Sequence, residues 1–301
     1  MKTRTKILLW LCISGPLLWL VGSYLGSMIA TRSQAARIPL AKTFFTTPVE
    51  NVELRAKDQV LTQAWYLPDP SNSKQKAVIL LNGLRGNRLG MIERAKLYHQ
   101  TGYAVLLPDL RGTGASTPSL ITFGWKERLD LLAGVAFLQK AGYSEIAVHG
   151  TSLGAATIVY SFNDNPDYAF VVLESCYDNI DQALANRVER FHLPSWVYQP
   201  LKHITAWRTG VPIQQLYPER DIPKGQFPTL ILAGDAEQRV RKTETEKLFQ
   251  QCGAKDKQLH FFRGAKHEDF LRRYDEEYRS VLHQWLVRQQ KALPTATNPP
   301  F

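Results

Sequence analysis

Residues 146–159 read Ile-Ala-Val-His-Gly-Thr-Ser-Leu-Gly-Ala-Ala-Thr-Ile-Val, an apolar run that leads through Gly150-Thr151-Ser152-Leu153-Gly154 into a small, apolar helical pattern. In a strand-to-helix context, a G-x-S-x-G pentapeptide permits a sharp turn that exposes the serine oxygen. The helix that follows offers backbone amides to a developing negative charge. A serine between two glycines is a weak signal alone, so the flanking strand and helix carry most of the evidence that Ser152 is a nucleophile.

Short unbroken apolar runs recur on both sides of this motif and alternate with helical patterns. The runs are typical of strands buried on both faces. They span 77–81, 103–107, 146–148, 170–173, 229–233 and 259–262. The helical patterns span 91–100, 125–140, 153–162, 243–251 and 269–289. This alternation predicts an α/β fold with a doubly wound, mostly parallel sheet, in which function lies at the carboxyl ends of the strands.

Two segments depart from that alternation. Residues 49–54 and 60–66 alternate between apolar and polar side chains around Lys57-Asp58, which predicts a hairpin at an antiparallel edge. Residues 177–227 separate two predicted strands and are rich in aromatic residues and prolines. An interval of this length is usually a lid or binding insertion, so we expect a helical cap here, although a purely structural excursion stays open.

A serine nucleophile needs a base, and the chain has seven histidines. Only His267 follows the last predicted strand and leads into the final helix, where the chain order Ser, acid, His requires the base. His149 lies at a strand end, and His99 and His283 lie on helical patterns, so packing or surface roles are expected for them.

The acid is expected after the strand 229–233, where Gly234-Asp235-Ala236-Glu237 offers two candidates. Glu237 is favoured, because a carboxylate three residues after the glycine lets the chain turn before it points towards an imidazole. Asp235 stays open, since either acid could fix the tautomer and stabilise the imidazolium.

Two backbone amides are expected to form an oxyanion hole. The Leu153 amide follows the nucleophile, and the Leu84 amide lies in the loop 82–88 after the strand 77–81. That loop lacks the G-K-[ST] ending or the G-x-G-x-x-G of a phosphate-binding loop. Neither H-E-x-x-H nor C-x-x-C occurs, so neither a metal nor another cofactor is predicted.

The N-terminus reads as a membrane element. Residues 7–30 form an uncharged run of 24 residues, long enough as a helix to cross a hydrocarbon core of about 30 Å. The basic residues of 1–6 precede it, and residues 31–42 read as a linker. We therefore expect a single-pass N-terminal anchor with the catalytic domain on the extracytoplasmic side. A cleaved signal peptide is the alternative, but the run is long for one and ends without a clear small-x-small site.

The composition of the chain after the N-terminal segment predicts one globular domain over 43–290 and a flexible tail over 291–301. The net charge is +10, but the first 42 residues hold six of the cations and no acid, so the rest carries only +4. That excess is too small to argue for a nucleic-acid partner.

Three cysteines allow at most one internal bridge, between Cys176 and Cys252, once Cys12 is assigned to the apolar run.

The ordered set of motifs resembles the α/β-hydrolase superfamily over residues 49–290, and is most similar to bacterial, membrane-anchored hydrolases of the serine-aminopeptidase-like or dienelactone-hydrolase-like kind. The four segments that carry the resemblance are 82–88, 108–116, 150–154 and 265–267. Two positions depart from the family pattern: Asn82-Gly83 stands where His-Gly is usual, and Glu237 stands where Asp is usual.

The resemblance implies a serine hydrolase that cleaves carboxylic esters through an acyl-enzyme. A membrane location and an aromatic cap point to hydrophobic or lipid-derived acyl groups as substrates. Cleavage of amides, peptides or thioesters by the same residues is the alternative, and a non-catalytic binding module on the same scaffold is another.

Overall fold

The structure is a computed structural model that describes residues 2–71 and 73–292, with side chains described from residue 14 to residue 290 apart from residue 72. Over this range the chain forms ten strands and ten α-helices. The strands are β1 (Gln34–Ala35), β2 (Glu50–Arg55), β3 (Leu61–Leu67), β4 (Lys76–Leu81), β5 (Ala104–Pro108), β6 (Thr113–Gly114), β7 (Glu145–Thr151), β8 (Val171–Glu174), β9 (Thr229–Gly234) and β10 (Lys257–Phe262). The helices are α1 (Lys2–Thr31), α2 (Ile92–Gln100), α3 (Arg128–Lys140), α4 (Leu153–Ser161), α5 (Ile180–Glu189), α6 (Gln199–Thr209), α7 (Pro218–Asp221), α8 (Lys242–Gln251), α9 (Phe270–Arg273) and α10 (Asp275–Ala292).

Eight strands form the central sheet in the order β10-β9-β8-β7-β4-β5-β3-β2. The pairs from β10 to β5 are parallel, whereas β3 is antiparallel to both β5 and β2. The predicted mostly parallel sheet with an antiparallel hairpin at its edge is therefore confirmed. Because the carboxyl ends of β7, β8, β9 and β10 lie at one edge of the sheet, the loops that follow them meet there.

Alternation along the strands divides the core into two layers. In β4, Ile79 and Leu81 pack into the layer that contains α3, α4 and α8, whereas Val78 and Leu80 pack into the layer that contains α2 and α10. A strand buried on both faces needs apolar side chains at every position, which is why these strands read as unbroken apolar runs.

Three helices, α5 to α7, occupy the long interval 177–227 between β8 and β9. Within the segment 31–42, read from sequence as a linker, Gln34 and Ala35 pair with Thr113 and Gly114 of β6. Cys176 and Cys252 are both buried and free. Of the tail expected over 291–301, residues 293–301 lie outside the described residues.

The N-terminal helix differs from the predicted membrane anchor. Among the helices that the structure describes, none is long and apolar enough to cross a membrane, so the spanning anchor predicted over 7–30 is not supported; its residues 7–13 lie outside the described side chains. The sequence criterion counted uncharged length and did not weigh the small polar residues Ser23, Ser27 and Thr31. These form one buried stripe of α1 at four-residue spacing.

That stripe of α1 packs on the cap helix α6. Arg208 of α6 donates to Ser27 Oγ at 3.0 Å and to Thr31 Oγ1 at 2.8 Å. Trp19 Nε1 donates to the Val197 carbonyl at 2.9 Å, and the Trp19 ring lies edge-on to Trp196. The described part of α1 is therefore an additional helix of the cap.

Candidate active site

Ser152 lies in a strained turn between β7 and α4. Its φ of +51° is in the left-handed region that residues with a side chain rarely adopt. A Cβ on Gly150 would lie 2.4 Å from the Gly154 carbonyl carbon, and a Cβ on Gly154 would lie 2.5 Å from the Leu81 oxygen. Both glycines are therefore sterically required for the strand to pass this close to the helix and expose the serine.

The same turn is tied to the neighbouring strand. The Ser152 amide donates to the Glu174 carbonyl at 2.7 Å, at the end of β8. Strained backbone persists only where its surroundings over-determine it, and this bond supplies one such restraint on the nucleophile turn.

His267 follows β10 and lies between Ser152 and Glu237. Its Nε2 is 3.2 Å from Ser152 Oγ, and its Nδ1 is 2.6 Å from Glu237 Oε2. A carboxylate only accepts hydrogen bonds, so Nδ1 carries the proton and donates to Glu237, which leaves Nε2 free to accept from the serine hydroxyl. This is the tautomer that a general base needs.

The two carboxylates that sequence left open have different partners. Glu237 is buried, and its second oxygen accepts from the Arg239 amide at 2.9 Å. Asp235 is exposed and accepts from the Gly264 amide at 2.6 Å. The geometry therefore brings Glu237 to the imidazole and uses Asp235 to join two loops.

Those two loops are packed backbone to backbone. The Ala236 amide donates to the Ala265 carbonyl at 3.0 Å, and a Cβ on Gly234 would lie 2.2 Å from the same carbonyl oxygen. This close approach of the loops after β9 and β10 puts Glu237 beside His267.

Leu84 and Leu153, predicted to form the oxyanion hole, line the same cavity as Ser152. A Cβ on Gly83 would lie 3.4 Å from the Ser152 Cβ, so the loop after β4 lies against the nucleophile turn. Within the described chain, neither the Leu84 nor the Leu153 amide donates a hydrogen bond. Two such donors beside a nucleophile are suited to binding a developing oxyanion.

The cavity has a volume of about 870 Å³ and lies between the sheet edge and the cap. Apolar side chains form much of its wall. They are Phe123, Tyr177, Ile180, Leu184, Phe191, Leu201, Ile213 and Leu216. Ala30 also lines the cavity, so the end of α1 reaches the active site. The sequence reasoning, which treated this segment as a separate anchor, did not predict that contact.

A buried polar network lies beneath the nucleophile turn and was also missed by the sequence reasoning. Arg94 of α2 binds both oxygens of Glu174 at 2.7–2.8 Å and one oxygen of Asp269 at 3.0 Å. His149 Nε2 lies 2.6 Å from Glu174, so this histidine has a packing role, as expected. Burial alone would raise the pKa of Glu174, but Arg94 and His149 hold it well below its usual range.

Several arginines on the cavity wall were likewise not singled out from sequence. Arg187 lies on α5, Arg190 directly follows that helix, and Arg239 lies two residues after Glu237. Burial and the nearby Arg239 lower the pKa of Arg187. Their only sequence signal is the three-residue spacing of two arginines at the end of a cap helix. Among the described residues, no group of three or more His, Cys, Asp or Glu side chains is arranged to hold a metal ion.

Comparison with known proteins gives the same class as the fold and this site. The model of the alpha/beta hydrolase family matches residues 78–296. The chain therefore belongs to the α/β hydrolase family, as its motifs predicted; the membrane-anchored bacterial subgroup is not shown.

Three individual proteins illustrate the similarity. An uncharacterized protein of Bacillus subtilis, YqkD, is 25% identical over 69% of this chain and 70% of its own length. A carboxylesterase of the same organism is 33% identical over 93 residues, which are 29% of this chain and 37% of that enzyme. The solved structure of the Pyrococcus furiosus esterase Pf2001 has a TM-score of 0.71 at 23% identity and covers 85% of this chain and 98% of the esterase chain. At this identity, the structural likeness shows the fold.

Proposed function

We propose that the protein is a serine hydrolase that cleaves carboxylic esters of hydrophobic acyl groups. The observation that carries the proposal is the continuous chain of hydrogen bonds from Ser152 Oγ through His267 to Glu237 at the wall of an apolar cavity. The short match to a carboxylesterase supports the ester as the bond cleaved.

In this mechanism Ser152 Oγ attacks the ester carbonyl while His267 Nε2 takes its proton. The Leu84 and Leu153 amides bind the oxyanion, and Glu237 stabilises the imidazolium and keeps its orientation. His267 then gives the proton to the leaving alcohol, which frees it and leaves an acyl group on Ser152. Water activated by His267 attacks that acyl-enzyme, releases the carboxylic acid and restores the serine.

The same residues could attack amides and thioesters, because the cavity does not distinguish an alcohol leaving group from an amine or a thiol. A panel of p-nitrophenyl esters, the matching thioesters and anilides of equal acyl length separates these reactions by their kcat/KM values. We expect the esters to have the highest values, with octanoate above acetate, because the longer chain buries more apolar surface in the cavity.

The test of the proposed chemistry is labelling of the full chain with a fluorophosphonate, alongside turnover of p-nitrophenyl octanoate. Ser152→Ala should abolish both, and Glu237→Gln should reduce kcat by up to about 10⁴-fold, because a neutral amide cannot stabilise the imidazolium. Asp235→Asn is the matched control, since Asp235 does not contact His267, and should stay within about twofold. Unlabelled wild-type protein without turnover would favour the non-catalytic binding module, and equal effects at 235 and 237 would refute Glu237 as the acid.

We also propose that the enzyme works at a lipid surface, which it contacts through α1 and the cap. In support, α1 exposes large apolar side chains. They are Leu17, Leu18, Leu20, Val21, Tyr24, Leu25, Met28 and Ile29. Trp196 and Trp207 of the adjoining cap are also exposed, and the N-terminal segment is basic, which complements anionic lipid headgroups. That the catalytic domain lies on the extracytoplasmic side stays a prediction.

A further inference from the structure

The ionisable side chains along the cavity are unbalanced in charge. The acids Glu174 and Asp269 are paired with Arg94, and Glu268 is paired with Arg273. Lys202 is paired with Asp181. In the part of the chain that the structure describes, the other four cations of the wall are in no ion pair: Arg85, Arg187, Arg190 and Arg239. The cavity therefore has an excess of positive charge beside its apolar wall.

The fold joins the two segments of chain that carry Arg187 and Arg239. Asn186, the neighbour of Arg187 on α5, donates to the Arg239 carbonyl at 3.3 Å and to Glu244 at 2.7 Å. This contact joins the cap helix to the loop that carries Glu237 and Arg239. Arg187 donates to the Ala183 carbonyl of its own helix, and its side chain is exposed and lines the cavity.

Both arginine side chains are exposed and line the cavity, so an anion in the cavity can reach their guanidinium groups. The positive charge of Arg239 disfavours the charge on Arg187, in keeping with the lowered pKa of Arg187. Glu237 and Glu244 partly offset this repulsion, but neither forms an ion pair with Arg187 or Arg239. Glu237 is bonded to His267 and to the Arg239 amide, and Glu244 is bonded to Asn186. A phosphate or carboxylate would offer both guanidinium groups a charged acceptor.

The position of the pair indicates which part of the substrate it meets. Arg239 is two residues from Glu237, in the loop that brings the acid to His267, whereas Leu84 comes from the loop after β4 on the oxyanion side. In the proposed mechanism His267 protonates the departing alcohol, so that alcohol leaves on the His267 side. The apolar cap wall remains for the acyl chain.

We propose that Arg187 and Arg239 form a subsite for an anionic group on the alcohol portion of the ester, so that the substrates are acidic amphiphiles with one hydrophobic acyl chain. This inference rests on the proposed function for the reaction, but the binding site itself can be tested without turnover. A phosphate and a carboxylate share the relevant chemistry, and the choice of substrates below separates them.

The test compares three esters with one acyl chain, each below its micellar concentration: 1-octanoylglycerol, its 3-phosphate and its 3-hemisuccinate. We expect the full-length wild type to have at least about tenfold higher kcat/KM for one or both anionic esters than for the neutral one. In Arg187→Gln and Arg239→Gln this advantage should disappear, while the value for 1-octanoylglycerol stays within about twofold. Arg241→Gln is the matched control, because Arg241 lies outside the cavity and pairs with Glu189.

A binding measurement separates failure of this inference from failure of the proposed function. Calorimetric titration of Ser152→Ala with octyl phosphate and with neutral octyl glucoside needs no catalysis. Tighter binding of octyl phosphate, weakened about tenfold or more by Arg187→Gln or Arg239→Gln, would support the subsite. Equal affinity for both amphiphiles, or equal losses on neutral and anionic esters in the variants, would overturn it even if ester turnover is confirmed.

Discussion

At the scale of single residues, the site depends on positions where only one kind of side chain fits. Ser152 is held at positive φ because Gly150 and Gly154 let β7, α4 and β4 approach within van der Waals contact. Glu237 and Asp235 are chemically alike, yet a difference of two positions decides which one reaches the imidazole. Small changes at these residues should therefore have large effects on the nucleophile.

The close approach at Gly154 makes a direct prediction. Gly154→Ala should lower the free energy of unfolding by about 1–3 kcal/mol and slow fluorophosphonate labelling, because the new Cβ would meet the Leu81 backbone and push the Ser152 turn out of place. Gly22→Ala is the control, since a Cβ there meets nothing within 4 Å, and should not lower the free energy of unfolding, because alanine favours a helix over glycine by up to about 1 kcal/mol. Urea unfolding measures the stability of the two variants, and the rate of fluorophosphonate labelling measures the reactivity of Ser152. A Gly154→Ala variant with unchanged stability and labelling rate would contradict the steric argument.

At the scale of secondary-structure elements, α1 and the cap act together. Arg208 donates to Ser27 and Thr31 of the polar stripe of α1, and the opposite side of the helix is apolar and exposed. The end of the same helix reaches the cavity at Ala30. A lipid surface on α1 would therefore lie next to the cap that covers Ser152.

This arrangement predicts how membrane binding responds to substitution. Leu18 and Leu25 are seven residues apart on one exposed side of α1, so the double change Leu18→Glu with Leu25→Glu should leave the fold intact. Binding to vesicles of anionic phospholipid should fall about tenfold or more, since two apolar side chains would no longer be buried in lipid. Cosedimentation of the full chain measures this loss.

Leu40→Glu provides the matched control for that experiment. Leu40 is exposed like Leu18 but lies beyond the helix, so binding should stay close to wild type. Failure of the wild type to cosediment, or equal losses in the control and the double variant, would refute α1 as the contact surface.

At the scale of the whole molecule, Arg94 joins parts of the chain that are far apart in sequence. It connects α2 to Glu174 at the end of β8 and to Asp269, two residues after His267. The Glu174 carbonyl also accepts from the Ser152 amide. One buried ion pair therefore supports both the nucleophile turn and the loop of the base.

The depressed pKa of Glu174 makes stability depend on pH. A group with a lowered folded-state pKa contributes stability above its unfolded value, here about 4.5, and that contribution is lost as the pH falls towards the folded-state pKa. Glu174→Gln should lower the free energy of unfolding by about 3–5 kcal/mol at pH 7, because it leaves the buried Arg94 without its main partner. The difference from wild type should shrink below about pH 4.5.

Urea unfolding at pH 7, 5 and 3.5 measures this dependence. Glu93→Gln is the control, since Glu93 forms only an exposed pair with Lys96, and it should change stability by no more than about 1 kcal/mol at each pH. A cost at Glu174 that is the same at pH 7 and pH 3.5 would show that the residue contributes by packing and not through its charge.

Local features of the sequence were enough to predict the parallel sheet, the serine turn and the histidine after the last strand, because apolar periodicity and glycine positions act over a few residues. They also named Leu84, Leu153, Glu237 and Asp235 as candidates. The sequence favoured Glu237 but left Asp235 open, and only the tertiary structure shows which carboxylate contacts the imidazole, since that depends on how two loops from neighbouring strands pack.

The docking of α1 on the cap, the Arg94 network and the unpaired arginines of the cavity could not be predicted for the same reason. Each depends on side chains that are distant along the chain, and a sequence pattern carries no information on which of them meet. The uncharged run of 24 residues carries no information on whether Ser27 meets Arg208, because that contact depends on the position of α6.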